Sequence, residues 1–144
     1  MKIRVIEEPG AQKELIIRCE AVDDQIRKLL RLINAQNKRI VANQGSETRI
    51  LDPASVLYCE YVDRGVFVYT AQEVLPTDAA LAEIEREFSD QGFIRCSKSM
   101  VVNIKRIAAL RSDNGGRIIA TIDNGEKIII SRHYAAALRE KLSQ

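Results

Sequence analysis

The stretch from Phe93 to Leu110 constrains the fold of this chain more than any other part of the sequence. Its apolar residues surround one short polar group, Ser97-Lys98-Ser99, and it carries four cations and no acidic residue. An apolar run interrupted in this way predicts buried structure on both sides of an exposed loop. A second group of a hydroxyl followed by cations, Ser131-Arg132-His133, opens the last helical pattern. We interpret both groups as loops that hold an anion.

Short β-type segments separated by turn residues make up most of the chain after residue 37. Turn residues at 44–46, 63–65, 112–116 and 123–125 predict hairpins, and Asp52-Pro53 predicts one short helical turn. A helix on Leu81, Ile84 and Phe88 is expected to be capped by Thr77 and to end at Gly92. Ser131 is expected to cap the final helix.

The first 37 residues predict a β-β-α unit. Residues 2–8 and 14–20 have the composition of strands around a turn at Pro9-Gly10, and Asp23 or Asp24 can cap a helix that follows. Such a unit is too small to bury its own apolar face, so it must pack on the rest of the chain or on a second copy. We therefore divide the chain into an accessory or dimerisation segment (1–37) and a main domain (38–144).

Composition excludes several classes of protein. The chain has no apolar run long enough for a membrane helix and no signal-peptide pattern at its start, so we expect a cytoplasmic protein. Its three cysteines, Cys19, Cys59 and Cys96, form no CxxC pair, which argues against disulfides or a metal site and predicts that all three are buried. No cofactor is implied.

The sequence does not indicate an enzyme. The one histidine, His133, has no acidic partner close in sequence, and the chain contains no Gly-rich phosphate loop, HExxH motif or GxSxG elbow. The paired carboxylates at residues 83–87 fit a solvated helix face.

Charge is unevenly distributed along the chain. Residues 52–91 carry two Lys/Arg and nine Asp/Glu, whereas residues 92–142 carry ten Lys/Arg and four Asp/Glu. A basic part beside an acidic part is typical of a protein that binds a polyanion on one face. Cations at a helix start, as predicted for Lys98 after Ser97 and for Arg132 and His133 after Ser131, are unfavourable and suggest a bound anion. The alternative is that these cations extend into water or pair with carboxylates elsewhere in the fold.

These residues also carry a resemblance to a known family. The run Phe93-Ile94-Arg95-Cys96-Ser97-Lys98-Ser99-Met100-Val101-Val102-Asn103 resembles the F-x-R-x-H-x-S-x-x-V-N pattern of LytTR DNA-binding domains. The later Asn124-Gly125 and Ser131-Arg132-His133-Tyr134 resemble that family's N-G…S-R-x-Y ending. The similarity extends over residues 38–142, with the motifs in order.

The resemblance implies an α+β, mainly β fold of small antiparallel sheets with short helices, which here follows the N-terminal β-β-α segment. It also implies a bacterial transcription regulator whose loops enter successive major grooves of duplex DNA. Carried over by position, the residues that read bases would be Lys98, Arg132 or His133, and Arg64. The residues that contact phosphates would be Arg95, Ser97, Ser99, Lys105 and Ser131.

Two positions depart from the family pattern, since Ser97 stands where a histidine is frequent and Gly65 where a polar residue is frequent. Residues 1–37 are too few for a receiver domain, so we expect a stand-alone regulator that acts as a homodimer, with no regulatory partner protein identifiable. The alternative is a protein-interaction module that places its basic loops on an acidic partner. RNA binding is a third hypothesis, which the small number of aromatic residues disfavours.

Overall fold

A five-stranded antiparallel sheet organises the protein in the computed structural model, which describes residues 1–143, the side chains of 31 and 34–37 excepted. Two smaller sheets and two of the three helices pack against it. The strands are β1 (Ile40–Gln44), β2 (Glu47–Leu51), β3 (Val56–Val62), β4 (Gly65–Thr70), β5 (Val74–Thr77), β6 (Phe93–Ser97), β7 (Met100–Asn103), β8 (Ile107–Ser112), β9 (Ile118–Ile122) and β10 (Lys127–Ile130). The helices are α1 (Asp24–Asn37), α2 (Leu81–Glu87) and α3 (Arg132–Leu142).

The strand order of the central sheet is β5-β4-β3-β7-β6, with every pair antiparallel. A two-stranded sheet, β1-β2, and a three-stranded sheet, β10-β9-β8, are separate from it. This is the mainly β arrangement of small antiparallel sheets and short helices that the sequence predicted.

The central sheet has a hydrophobic core on each of its two faces. Successive side chains of a strand point to opposite faces, so Val101 belongs to one core and Val102 to the other. The first core lies against β1-β2 and α2, and includes Cys59, Ile84 and Phe93. The second lies against β8-β10 and α3. The sheet is thus held in place from both sides.

The two strands predicted in residues 2–8 and 14–20 are wrong, whereas the helix after them is confirmed. The Ala11 N–H donates to the Glu8 carbonyl (3.1 Å) and Gly10 has a φ of 81°, as in a type II turn with Pro9 at its second position. Type II turns splay the flanking segments instead of matching the twist of a hairpin. Within the described chain, residues 1–23 therefore contain no strand.

Two further predictions need correction. The helix expected at Thr77 begins at Leu81, because Thr77 ends β5, where its hydroxyl donates to the Val41 carbonyl (2.7 Å). Strand β5 itself was not predicted. Cys19 is exposed, although Cys59 and Cys96 are buried as expected. The Asp52-Pro53 turn is confirmed, since the Asp52 carboxylate accepts a hydrogen bond from the Ala54 N–H (3.0 Å).

Candidate nucleic-acid interface

Three loops with exposed cations meet at one end of the central sheet. Because β3, β7 and β6 are antiparallel neighbours, the β3–β4 turn and the β6–β7 turn lie at the same end. The start of α3 lies beside the end of β6. We call these three loops the loop cluster: Asp63–Arg64, Lys98–Ser99 and Ser131–His133.

Backbone hydrogen bonds connect the three loops to one another. The Tyr61 N–H donates to the Ser99 carbonyl (2.8 Å), which joins the end of β3 to the β6–β7 turn. The Ser131 N–H donates to the Cys96 carbonyl (3.1 Å), which joins the start of α3 to β6. Since both bonds are made by backbone atoms at the ends of strands, the spacing of the loops is set by the sheet.

Lys98 lies at the tip of a hairpin and not at the start of a helix. Ser97 pairs with Met100, so Lys98 and Ser99 form a two-residue turn, and a bulge precedes it between Arg95 and Ser97. The prediction that Ser97 caps a helical turn is wrong, because pairing with β7 outweighs the local tendency of Ser97 to cap. The Ser97 hydroxyl instead accepts a hydrogen bond from the Ser99 N–H (3.2 Å) across the turn. Lys98, at the tip of this turn, is exposed.

The turn before β4 has an uncommon backbone conformation. Asp63 and Arg64 both have positive φ angles, 50° and 65°, as in a type I′ hairpin turn. Both side chains are exposed. Tyr61, Arg64, Arg95 and Lys98 line an open hollow of about 410 Å³ between this turn, α2 and the Lys98 hairpin. Tyr61 was not predicted from the sequence to be part of this site. The sequence feature that could have indicated it is its position near the end of a strand, next to the polar turn residues.

Helix α3 begins at Arg132 as predicted, with Ser131 as its N-cap residue. The Ser131 side chain makes no capping hydrogen bond, and the first turn of α3 contains no acidic residue. Arg132 and His133 are exposed, and the His133 ring contacts Tyr134 edge-on (centroids 4.7 Å apart). The positive end of α3 thus carries a cation and a hydroxyl that is not used in capping.

The Arg132 side chain lies next to Gly116. This contact was also not predicted from the sequence. A Cβ atom at residue 116 would lie 3.1 Å from Cγ and 3.3 Å from Cδ of Arg132. Gly116 has a φ of 82°, a conformation that favours glycine. The signal in the sequence was the double glycine Gly115-Gly116, interpreted there only as a hairpin turn.

The Arg95 side chain is partly buried. It is 20% exposed, and its Nη1 lies 3.6 Å from the Glu85 carboxylate. Its Nε and Nη1 atoms are buried and donate no hydrogen bond within the described chain. Arg95 therefore lines the hollow beside the loop cluster with two buried donors that make no hydrogen bond within the described chain, one of them near the Glu85 carboxylate.

Lys105 lies away from the other predicted contacts. Lys105 is on the helical turn that follows β7, whereas Lys98 precedes β7. The four residues of β7 separate the two lysines, which corresponds to about 13 Å at about 3.3 Å per residue. The buried Asn103 holds this turn, since its Oδ1 accepts from the Lys105 N–H (3.1 Å) and its amide donates to the Val56 carbonyl (3.0 Å). The neighbouring Arg106 is paired with Asp123 (2.6 Å).

No reactive thiol lies at the loop cluster. Burial raises the pKa of both Cys59 and Cys96 to about 12, so these two buried thiols stay protonated at neutral pH. Within residues 1–143, no group of three or more His, Cys, Asp and Glu side chains is arranged to hold a metal ion. None of the helices in that range has both the length and the apolar composition of a membrane span.

Comparisons with known proteins agree on one domain type. The sequence profile of the LytTr DNA-binding domain matches residues 46–143. A LytTr DNA-binding domain from Bacillus cereus has a similar structure, with a TM-score of 0.69 and 25% identity over 74% of this chain and 98% of that domain.

Two curated proteins are similar in sequence. A protein described as an uncharacterized HTH-type transcriptional regulator of Staphylococcus aureus (strain NCTC 8325 / PS 47) is 25% identical over 88% of this chain and 87% of its own length. The sensory transduction protein LytT of Bacillus subtilis (strain 168) is 28% identical over 76% of this chain and 45% of its own length.

Proposed function

Because this chain belongs to the LytTr DNA-binding domain family, we propose that it is a transcriptional regulator that binds a specific duplex DNA sequence through the loop cluster. In this proposal the tips of the cluster enter successive major grooves on one side of the duplex. The binding site would be repeated, and two copies of the chain would occupy it.

The convergence of the three loops is the observation that carries the proposal. Exposed cations come together from residues 64, 98 and 132, although they are distant in sequence. The backbone bonds to Ser99 and Cys96 fix the loops on a rigid sheet, so little conformational entropy would be lost on binding. A rigid set of basic tips suits a polyanion with a regular spacing of grooves.

Base reading is assigned to the exposed cations at the tips. Lys98 and Arg132 can each reach the O6 and N7 acceptors of guanine in the major groove. His133 is the alternative reader at the start of α3, and Arg64 would make a third contact. All four side chains are exposed.

Phosphate contacts are assigned to residues that flank the tips: Ser97, Ser99, Ser131, Arg95 and Lys105. The three serines lie within the loops or next to them, and phosphate contacts of this kind fix the register of a protein on DNA without reading its sequence. Arg95 could contribute only through a rearrangement that frees its buried donors. Lys105 would meet the duplex only if the DNA extends past the far end of β7.

The proposal is tested by measuring DNA affinity as a function of salt for a selected duplex and a scrambled one of equal length. Lys98→Ala should weaken binding to the selected duplex by about 1–3 kcal/mol and lower the ratio between the two duplexes. The matched control is Lys127→Ala, an exposed lysine at the far end of β10, which should change affinity by less than about 0.5 kcal/mol.

The affinity of the parent protein should fall steeply with salt, by about 0.9 decades per decade of salt for each phosphate contact. Equal affinities for the two duplexes, or equal effects of the two lysine variants, would contradict base reading by Lys98. A complete lack of DNA binding would instead favour an acidic protein as the partner of the loop cluster.

A further inference from the structure

We propose that residues 2–8 pair antiparallel with the same residues of a second copy of this chain, so that a two-stranded ribbon joins the two copies. This rests on the proposed function only in taking a second copy as the partner. Beyond the proposed function, the ribbon specifies which segment joins the two copies, the direction in which the segments pair and the register of that pairing.

Residues 2–8 carry apolar side chains that are mostly exposed. Ile3, Val5 and Ile6 are 83%, 87% and 76% exposed. β-branched residues of this kind favour strands, where they pack against a neighbouring strand. Among the described residues, none of the strands pairs with this segment.

The chain's own residues 14–20 are a poor partner for residues 2–8. The type II turn at Pro9-Gly10 directs the two segments apart. A partner must therefore come from elsewhere, and a second copy offers the same unpaired segment.

Charge selects an antiparallel pairing of two copies. The segment has Lys2 and Arg4 in its first half and Glu7 and Glu8 in its second half. A parallel, in-register pair would place like charges opposite each other, which destabilises a sheet. An antiparallel pair places each basic half beside the acidic half of the other copy, and a two-fold axis makes this contact twice.

One register also preserves the alternation of side chains. With Val5 on the two-fold axis, Lys2 lies opposite Glu8 of the second copy and Arg4 lies diagonal to it. Ile3, Val5 and Glu7 of both copies then share one face of the ribbon, and Lys2, Arg4, Ile6 and Glu8 share the other. An isolated two-stranded ribbon is marginal in water.

The test is a pair of charge variants measured by sedimentation of the full chain. One carries Lys2→Glu and Arg4→Glu, and the other carries Glu7→Lys and Glu8→Lys. Each alone should raise the dissociation constant of the dimer about tenfold or more, and a mixture of the two should form a one-to-one dimer as tight as the parent. The control, Lys13→Glu with Lys38→Glu, makes the same charge change at exposed positions outside the ribbon and should remain dimeric.

Dimers that persist unchanged in both charge variants would overturn the ribbon while leaving a dimer through another surface. A parent chain that is monomeric at micromolar concentration would overturn the ribbon and the dimer together. Neither result affects the binding of one copy to DNA, which the Lys98 experiment tests separately.

A second measurement tests the register through a disulfide. In a Cys19→Ser background, Val5→Cys should oxidise readily to a cross-linked dimer, because residues opposite each other in an antiparallel pair have Cα atoms about 4.5–5.5 Å apart, within the range of a disulfide. Ile6→Cys lies opposite Arg4 in this register and should cross-link at least about tenfold more slowly. Equal rates for the two variants would refute the register.

Discussion

Replacing Arg132 with Glu is expected to stabilise the free protein while removing DNA binding. Arg132 is the first residue of α3, whose first turn contains no acidic residue and whose N-cap side chain makes no hydrogen bond. A cation at the positive end of a helix costs about 0.3–1 kcal/mol, and an anion there gains a similar amount. The exchange should therefore raise the free energy of unfolding by about 0.6–2 kcal/mol, less a small loss of packing over Gly116.

The measurement is urea unfolding at low salt, together with the affinity for the selected duplex. A chain of this length changes its Tm by about 2–4 °C per kcal/mol, so the gain should also appear in thermal unfolding. Arg132→Ala should give about half the gain, since it removes the cation without adding an anion. Arg139→Glu, in the last turn of the same helix, should destabilise by a similar amount because the sign of the helix dipole is reversed there.

Two results would refute this reasoning. If Arg132→Glu is less stable than the parent, Arg132 makes a structural contact that outweighs the helix dipole. If the variant binds the selected duplex as tightly as the parent, the start of α3 does not face DNA. Arg139→Glu also guards against a general effect of net charge, because both variants change the net charge equally.

Other substitutions test the parts of the structure that hold the loop cluster. Asn103→Ala should lower the free energy of unfolding by about 1–3 kcal/mol in urea, because the buried Val56 carbonyl loses the hydrogen bond from the Asn103 amide; an unchanged free energy of unfolding would contradict the buried role. Gly116→Ala should lower both stability and DNA affinity, whereas Gly115→Ala, with a similar φ but open space around it, should lower stability alone. At pH 8 only Cys19 should react with an alkylating reagent, and the two buried thiols should react on unfolding. The pKa of these two thiols is about 12 in the folded protein and about 9 in the unfolded chain. The urea midpoint should therefore fall as pH rises from about 9 to 12, and a constant midpoint would count against their burial.

Local sequence signals predicted the elements whose geometry depends on near neighbours. Asp52-Pro53 fixes its helical turn through a side-chain bond two residues away, and the Asn124-Gly125 turn joins β9 to β10 as expected. The resemblance of residues 93–103 to a family motif added the mainly β class of small antiparallel sheets with short helices. The local preferences of these turns do not depend on the rest of the chain.

The elements that the sequence did not predict depend on distant partners. Ser97 has the chemistry of a helix cap, but its position opposite Met100 in the sheet determines its conformation. Strand β5 contains Pro76, which weakens a strand signal, yet it lies at the edge of the central sheet, where a missing N–H is tolerated. The contact between Gly116 and Arg132 likewise joins residues from different elements. Tertiary contacts of this kind leave no periodic pattern in the sequence.

The separation between the loop cluster and the two cores has an evolutionary consequence. Residues that fill the cores lie along the strands, whereas Arg64, Lys98 and Arg132 lie beyond the strand ends and contribute to neither core. If these tips read bases as proposed, substitutions there would change the preferred DNA sequence with little effect on folding, since exposed loop positions tolerate replacement. A duplicated copy of such a chain could acquire a new set of target sites through a few changes at the tips, while the sheet that spaces them is inherited intact.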